Sequence, residues 1–496
     1  MALRAYKRIP YALMAILLIQ GSKSFGQSTT NVKPHATQAS NTNGTSGKIE
    51  QPVTISKSEL TAKGSKWDPA NLRDDWYVKT IAADKVPPNE LNSLQNVWTL
   101  AIIDSGIDDS VQDFSGDLWE ELGEYRETRT PTRRIGWNFV KHDANPTDNS
   151  NNSHGTHVAG LATARWMGTQ QSAPAFSPDK LDPHLKLLIM KVADQDDDAF
   201  SATDALAVAV EKGAKVVSAS LTLWPDEEAD VPMRNAREVL FVVAAGNGKS
   251  EIDDDHPVFP PSYSGLDNMI TVGASDPDDN VAYFSNYGAK AVHVFAPGAE
   301  IMSTVRTNIF GNRYGRLSGT SQATPQVALA AALIWGNLGN LPAKAVKARI
   351  MDTSDFVGDT TQKGASGRLN LAKAIMIDHD LMELNDSPHT LLVGTIQNTS
   401  VSFAEAGQNC GEVDNNGIRT YDVVDDRVVR VVVENQGSKS VLFSNGGRRT
   451  VGTVCDAMID FLTSDGTTIH KSISDVSDVI WGLWHPHDSG RAQTGP

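Results

Sequence analysis

Cysteine is nearly absent from this chain: only Cys410 and Cys455 occur among 496 residues. Two thiols cannot complete a four-cysteine zinc site. They allow at most one disulfide, and the sequence leaves a bonded pair and two separate thiols equally open. Basic residues are also short. Lys and Arg total 44 against 60 Asp and Glu, a formal net charge of −16. That balance excludes a basic nucleic-acid surface and describes an acidic exterior, without naming a substrate. With 40% hydrophobic and 21% charged residues, the composition is neither that of a disordered chain nor that of a membrane-embedded one. No internal repeat of solenoid period is found. A chain of this length holds about three average domains, or one large α/β domain with a smaller partner.

The apolar run "YALMAILLI", residues 11–19, follows Arg4, Lys7 and Arg8. A positive start, a short apolar stretch and small residues near Ser24-Phe25-Gly26 read as an export signal removed after Gly26. Nine apolar residues are too few for a stable membrane span, and no cysteine lies nearby to carry a lipid. The expectation is a secreted or periplasmic protein with residues 1–26 as its signal. From Gln27 to Lys66 the chain is rich in Ser, Thr, Asn, Gly and Gln. Such a composition buries no core, so 27–66 reads as a flexible leader or linker without a visible folded pro-segment.

Order begins near Trp67. "VWTLAIID" ends at Asp104, and "LKLLIMKVA" (185–193), "AKVVSASL" (214–221), "EVLFVVAAGN" (238–247) and "NMITVGAS" (268–275) repeat the pattern. Apolar on both faces, such strands belong in a buried parallel sheet. Helical patterns lie between them, notably "SATDALAVAVEKG" (201–213), with Ser201 as cap and Gly213 as stop. The fold class expected for 67–384 is therefore α/β, a parallel sheet flanked by helices. Function in such sheets gathers at the carboxyl ends of the strands, where Asp104 and Asn247 fall. From 385 to 496 the texture changes: "RTYDVVDDRVVRVVVEN" alternates in part, and an Asn-Gly-Gly turn follows "KSVLFS". This is read as a separate β-rich accessory domain.

"SGTSQATPQVALAAAL" (318–333) places Ser321 at the start of an Ala-rich helix with a proline close behind. A capping serine is the ordinary explanation. The alternative is a nucleophile held where helix N–H groups favour developing negative charge. A nucleophilic serine needs a base, an orienting acid and an oxyanion donor. His154 in "HGTHVAG", Asp104 in "AIIDSGID" and Asn247 in "VVAAGN" offer these groups. Each also has a plain structural reading as a cap or a satisfied polar group.

Taken together, "DSG", "HGTHVAG", "AAGN" and "SGTS…P" stand in an order that resembles the subtilisin-like serine proteases, the subtilases, over roughly residues 67–380. "NFVKHDANPTDNSNNSHGTHVAG" is similar to the segment before the catalytic histidine in secreted bacterial members. The resemblance implies a subtilisin-like fold, a polypeptide substrate and a triad of Asp104, His154 and Ser321. It also implies an oxyanion hole from Asn247 and the Ser321 N–H. It requires no cofactor for catalysis and no catalytic metal. His157, one turn along from His154, reads as structural; a zinc pair lacks both an HExxH glutamate and further cysteines.

Three departures bear on specificity. Gln322 and Thr324 stand where the family usually has Met and Ala, and Ser220-Leu221-Thr222 replaces its Ser-Leu-Gly on the substrate-binding strand. The acidic loop "DQDDDAF" (194–200) has two readings. It is a solvated run, leaving a structural calcium open, or Asp196, Asp197 and Asp198 attract Lys or Arg of a substrate upstream of the cut. The competing function class is a catalytically impaired subtilase-like protein used for binding or adhesion. Oligomeric state has no signature in the sequence.

Overall fold

The computed structural model describes residues 45–86, 98–111, 114, 118–124, 131–163, 185–195, 198–225, 229–263, 265–306, 314–339, 341–376, 380–384, 390–396, 400–405, 418–422, 428–433, 439–443, 449–454, 458–463, 467–472 and 475–480. The export signal at 1–26, Cys410, Cys455, Asp196 and Asp197 lie outside the described residues.

In chain order the strands up to residue 317 are β1 (Thr45–Ile49), β2 (Trp98–Asp104), β3 (Glu121–Glu124), β4 (Pro131–Arg134), β5 (Gly136–Asn138), β6 (Leu185–Lys191) and β7 (Asp198–Phe200). They continue with β8 (Ala214–Ala219), β9 (Leu221–Leu223), β10 (Leu240–Ala244), β11 (Met269–Ser275), β12 (Val294–Pro297), β13 (Ile301–Thr304) and β14 (Tyr314–Leu317). Seven of these form a parallel sheet in the order β12-β11-β10-β8-β2-β6-β5. The first of them in sequence, β2, lies inside the sheet. The chain builds outward through β6 and β5 on one side, and through β8, β10, β11 and β12 on the other. Strand order reverses at β2, so a crevice opens at its carboxyl end, where Asp104 sits.

The helices used here are α1 (Lys57–Ala62), α2 (Trp76–Thr80), α3 (His154–Thr163), α4 (Ala202–Glu211), α5 (Thr320–Leu338), α6 (Ala343–Asp352) and α7 (Leu371–Met376). Successive side chains of β2 alternate between two layers. Leu100 and Ile102 join the cluster that contains α3 and α5, whereas Ala101 and Ile103 join the one that contains α4. Both faces are covered, which is why the strands are apolar throughout. Truncating Ile102 to Ala would cost about 2–5 kcal/mol at such a site. Helix α5 is buried from Thr320 to Gly336, and its run of small alanines lets it lie in the middle of the layer. Ser201 stands at the start of α4 in a left-handed conformation and makes no capping hydrogen bond, in contrast to the cap expected there.

Residues 45–66 differ from the expected flexible leader. β1 pairs antiparallel with β7 on one side and β9 on the other. Strand addition of this kind uses main-chain N–H and C=O groups, so a polar composition does not oppose it. α1 follows because Ser56 and Glu59 form a reciprocal cap: Ser56 Oγ accepts from Glu59 N at 3.2 Å and donates to Glu59 Oε2 at 3.0 Å. Tyr283 Oη donates to the same carboxylate at 2.9 Å and docks the helix on the α/β body.

Beyond residue 380 the described residues contribute ten strands, from Asp380–Leu384 to Val476–Ile480, to one antiparallel sheet. The junction with the α/β body is a buried charge cluster. Lys373 Nζ on α7 bonds Asp355 at 2.9 Å, Glu383 at 3.0 Å, and Asp478 more closely still. These three carboxylates are also the one described group close enough to share a cation. Their centre is already held by the lysine ammonium, and Arg368 binds Asp355 from outside at 2.8 Å. The lysine ammonium thus stands where the three carboxylates converge, and Lys85 pairs with Glu383 at 3.6 Å. Among the described residues no helix is long and apolar enough to cross a membrane.

Candidate active site

Asp104 ends β2 at the switch point and is fully buried, as is His154 at the first position of α3. Asp104 Oδ1 accepts from Ser105 N at 2.7 Å and meets His154 Nδ1 at 2.8 Å. A carboxylate at Nδ1 fixes the imidazole's orientation and favours the tautomer with the proton on Nδ1. Close approach of the two elements depends on Gly155: a Cβ there would stand 2.2 Å from Gly106 O. The Gly155 N–H instead donates to Ser105 Oγ at 2.9 Å.

Two buried groups that the sequence reading did not single out hold this arrangement. Asp148 accepts from Ser150 N, Ser150 Oγ and Ser105 Oγ through one oxygen, and from Thr156 N and Thr156 Oγ1 through the other. It thus caps the first turn of α3. Lys191, at the end of β6, sends its ammonium to Ser105 O, Asn149 Oδ1 and Ala193 O, each at 2.7 Å, and pairs with Asp194 at 2.9 Å. Burial lowers the Lys191 pKa, and Asp194 opposes that shift. The ammonium ties the residue after Asp104 to the loop before His154. In the sequence, both look like ordinary surface charges; only the Asp148-x-Ser150 pair two turns before "HGTH" hints at a cap.

Ser321 is the second residue of α5, whose N-cap residue, Gly319, has no side chain to cap with, and Ser321 Oγ acts only as a donor, to Glu50 O and Ser220 O. The capping explanation for its hydroxyl is therefore set aside. Pro325 has no N–H to give the Ser321 carbonyl four residues back. Ser220 Oγ fills that role at 3.1 Å and couples the helix start to the residue before β9. Asn247 follows β10, and its Oδ1 accepts from Thr320 N at 2.9 Å and Thr320 Oγ1 at 3.0 Å. With Oδ1 so engaged, Nδ2 is turned toward the space beside Ser321. α3 packs directly on α5.

The crevice is filled by the chain itself. Ser321 Oγ lies 3.5 Å from both Glu50 O and Ser220 O, and Asn247 Nδ2 donates to Gln51 O at 3.1 Å. The Asn247 N–H donates to the Glu50 carboxylate at 3.2 Å. Thr222 and Asp198 flank β1, each opposite Lys48 in register. Leu221 is buried and lies opposite Ile49. Residues 45–53 fall inside 27–66, where composition points to a leader or linker; the Ser56-x-x-Glu59 spacing just beyond them is the local sequence mark of order.

His157 is held by main-chain carbonyls, not by Asp104. Its Nε2 lies 3.0 Å from Ile301 O and 3.1 Å from Gly315 O, so a neutral Nε2–H is shared between two carbonyls. Burial, reinforced by the nearby His154, lowers its pKa to about 3. Gln322 is wholly buried, and neither end of its amide has a hydrogen-bond partner among the described residues.

Comparison with known proteins matches residues 96–372, more than half of the chain, to the subtilase family. The "Thermophilic serine proteinase" of Bacillus sp. (strain AK1) is 33% identical over 56% of this chain and 61% of its own length. "Thermitase" of Thermoactinomyces vulgaris is 33% identical over 56% of this chain and 88% of its own. The "Cell wall-associated protease" of Bacillus subtilis (strain 168) is 30% identical over 61% of this chain and 31% of its own. The chain thus spans less than two thirds of the first and third of these relatives.

Proposed function

The chain belongs to the subtilase family of serine peptidases, and from that premise we propose that it is an exported endopeptidase working through Asp104, His154 and Ser321. Ser321 Oγ attacks the scissile carbonyl while His154 takes its proton. The proton then passes to the leaving amine, and water hydrolyses the acyl-enzyme. Asp104 holds the imidazole and stabilises its charged form. Asn247 Nδ2 and the Ser321 N–H receive the oxyanion, in a site where Asn247 is pre-oriented by Thr320. The observation that carries this reading is the buried 2.8 Å contact of Asp104 with His154. Substrate would lie as a strand between β7 and β9, where β1 now lies. The Asp198–Lys48 register supports an acidic edge that attracts basic upstream side chains. Asp197 is assigned to the same edge as part of this reading. A relative named as cell wall-associated, together with the signal-like N-terminus, supports export.

The direct test is hydrolysis of denatured casein by purified wild type, Ser321→Ala and Asp104→Asn. Activity confined to the wild type, with all three chains folded by circular dichroism, is the expected result. Undiminished cleavage by Ser321→Ala would remove Ser321 from the chemistry. Absence of cleavage by a folded wild type whose cleft is free would favour the binding or adhesion class instead.

A further inference from the structure

The peptide lying in the crevice is this chain's own, and its register names the side chains that each position accepts. β1 completes a three-stranded sheet in the order β7-β1-β9, with Lys48 opposite both Asp198 and Thr222, and Ile49 opposite Leu221. Beyond the catalytic serine the chain continues outward, with Val53 N donating to Ser318 O at 2.7 Å. We infer that the cleft selects peptides with glycine, any residue, an aliphatic residue and glutamate in succession, cut after the glutamate, and that Gly47-Lys48-Ile49-Glu50 is its first substrate. The inference rests on the peptidase reading and adds a substrate class to it.

Three observations set the positions. A Cβ at Gly47 would stand 2.2 Å from Thr222 O, a backbone atom that cannot turn aside, so glycine alone fits at the fourth position before the cut. Ile49 is 1% exposed and packs in the cluster with Leu221 and Ala193, an apolar seat for the second residue before the cut. The Glu50 carboxylate accepts the Asn247 N–H at 3.2 Å. A side chain built on Gly246 would meet Glu50 Oε1 at 3.7 Å and Asn286 Nδ2 at 2.7 Å, so amide groups line this pocket. Lys48 is exposed, and its side chain selects nothing beyond the acidic edge.

Two carbonyls compete for the cut. Ser321 Oγ stands at the Glu50 carbonyl, while the Gln51 carbonyl holds Asn247 Nδ2. The side chain seated beside Gly246 is that of Glu50, and cleavage one bond later would have to expel the ring nitrogen of Pro52. The reacting bond is therefore Glu50–Gln51. Its carbonyl turns to Asn247 Nδ2 as the Gln51 carbonyl withdraws. Ser321 Oγ forms an ester with the Glu50 carbonyl carbon, the C–N bond breaks, and the Gln51 amine leaves with the proton that His154 took from the serine. Water then releases the Glu50 carboxylate.

The test has two arms. Intact-mass and N-terminal analysis of the full chain should find a new terminus at Gln51 in the wild type and no cut there in Ser321→Ala. A terminus at Pro52, or elsewhere within 45–56, would overturn the assignment. In the second arm, Gly-Lys-Ile-Glu anilide is compared with peptides ending in Gln or Phe, and with Val in place of Gly. A charged acceptor binds an N–H about twice as strongly as a neutral one, and phenylalanine leaves that N–H unpaired. The expected kcat/KM falls about fivefold for Gln and at least about tenfold for Phe and for Val. Phe equal to or better than Glu would overturn the inference. Casein hydrolysis dependent on Ser321 would then leave the peptidase reading standing; its loss as well would take both down.

Discussion

Acid should unfold this protein partly through one histidine that does no chemistry. His157 is neutral in the fold, with its Nε2–H shared by Ile301 O and Gly315 O, and its pKa is lowered to about 3 from 6.5. Below pH 6.5 the unfolded chain binds a proton that the folded chain refuses, so stability is complete above that pH and falls as pH drops toward 3. At about 1.4 kcal/mol per pKa unit, His157 alone removes about 2 kcal/mol by pH 5. Other groups move the total. His293, buried against Lys347 and Thr271, is also held well below its ordinary pKa and adds to the loss. Asp276 acts in the opposite sense. Burial raises its pKa to about 6, so its protonation strengthens the fold between pH 6 and about 4. A difference experiment removes these shared terms. Urea unfolding of Ser321→Ala, which prevents self-digestion, is compared with Ser321→Ala/His157→Asn at pH 7.5 and pH 5. The variant loses packing at both values, but the gap between the two proteins should narrow by about 2 kcal/mol at pH 5. Parallel stability–pH curves would refute the buried neutral imidazole.

Lys373→Met leaves Asp355, Glu383 and Asp478 facing one another without their common ammonium, and should cost about 3–5 kcal/mol in a denaturant midpoint series. No change would mean that the cluster is solvated and does not join the two sheets. Gln322→Met replaces a buried amide that has no described partner, so melting should shift toward higher stability by about 1–3 kcal/mol. The same variant should be inactivated faster by peroxide, because a thioether beside Ser321 can become a sulfoxide; equal rates for the two proteins would discard this. Lys191→Met should lower kcat by about tenfold or more with little change in KM, because the ammonium positions both Asp104 and His154 without reaching substrate. A rise in KM alone would count against a positioning role.

Much of the site could be read locally. Asp104, His154, Asn247 and Ser321 each lie in a short motif whose glycines and hydroxyls belong to a turn or a helix start. Two-sided apolar strands likewise point to the parallel sheet, and the change of texture from residue 385 points to the antiparallel one, which takes in the strand Asp380–Leu384 just before that boundary. What escaped was carried by the backbone or by burial. β1 enters the crevice through main-chain hydrogen bonds, to which Thr45, Ser46 and Gly47 are as suited as any apolar residue. Asp148, Lys191 and Lys373 look like surface charges until their partners, distant in sequence, surround them. Asp198 sat in an apparent loop because three residues of edge strand are too few to show a period.

The central claim is that Ser321 is a nucleophile made reactive by His154. A fluorophosphonate reagent, applied to the purified chain after removal of residues 1–50 and followed by peptide mapping, tests it most directly. The account predicts one adduct, on Ser321, whose rate of formation collapses in His154→Ala although that variant stays folded. Labelling of Ser321 at an unchanged rate without His154, or none on a folded wild type, would contradict it.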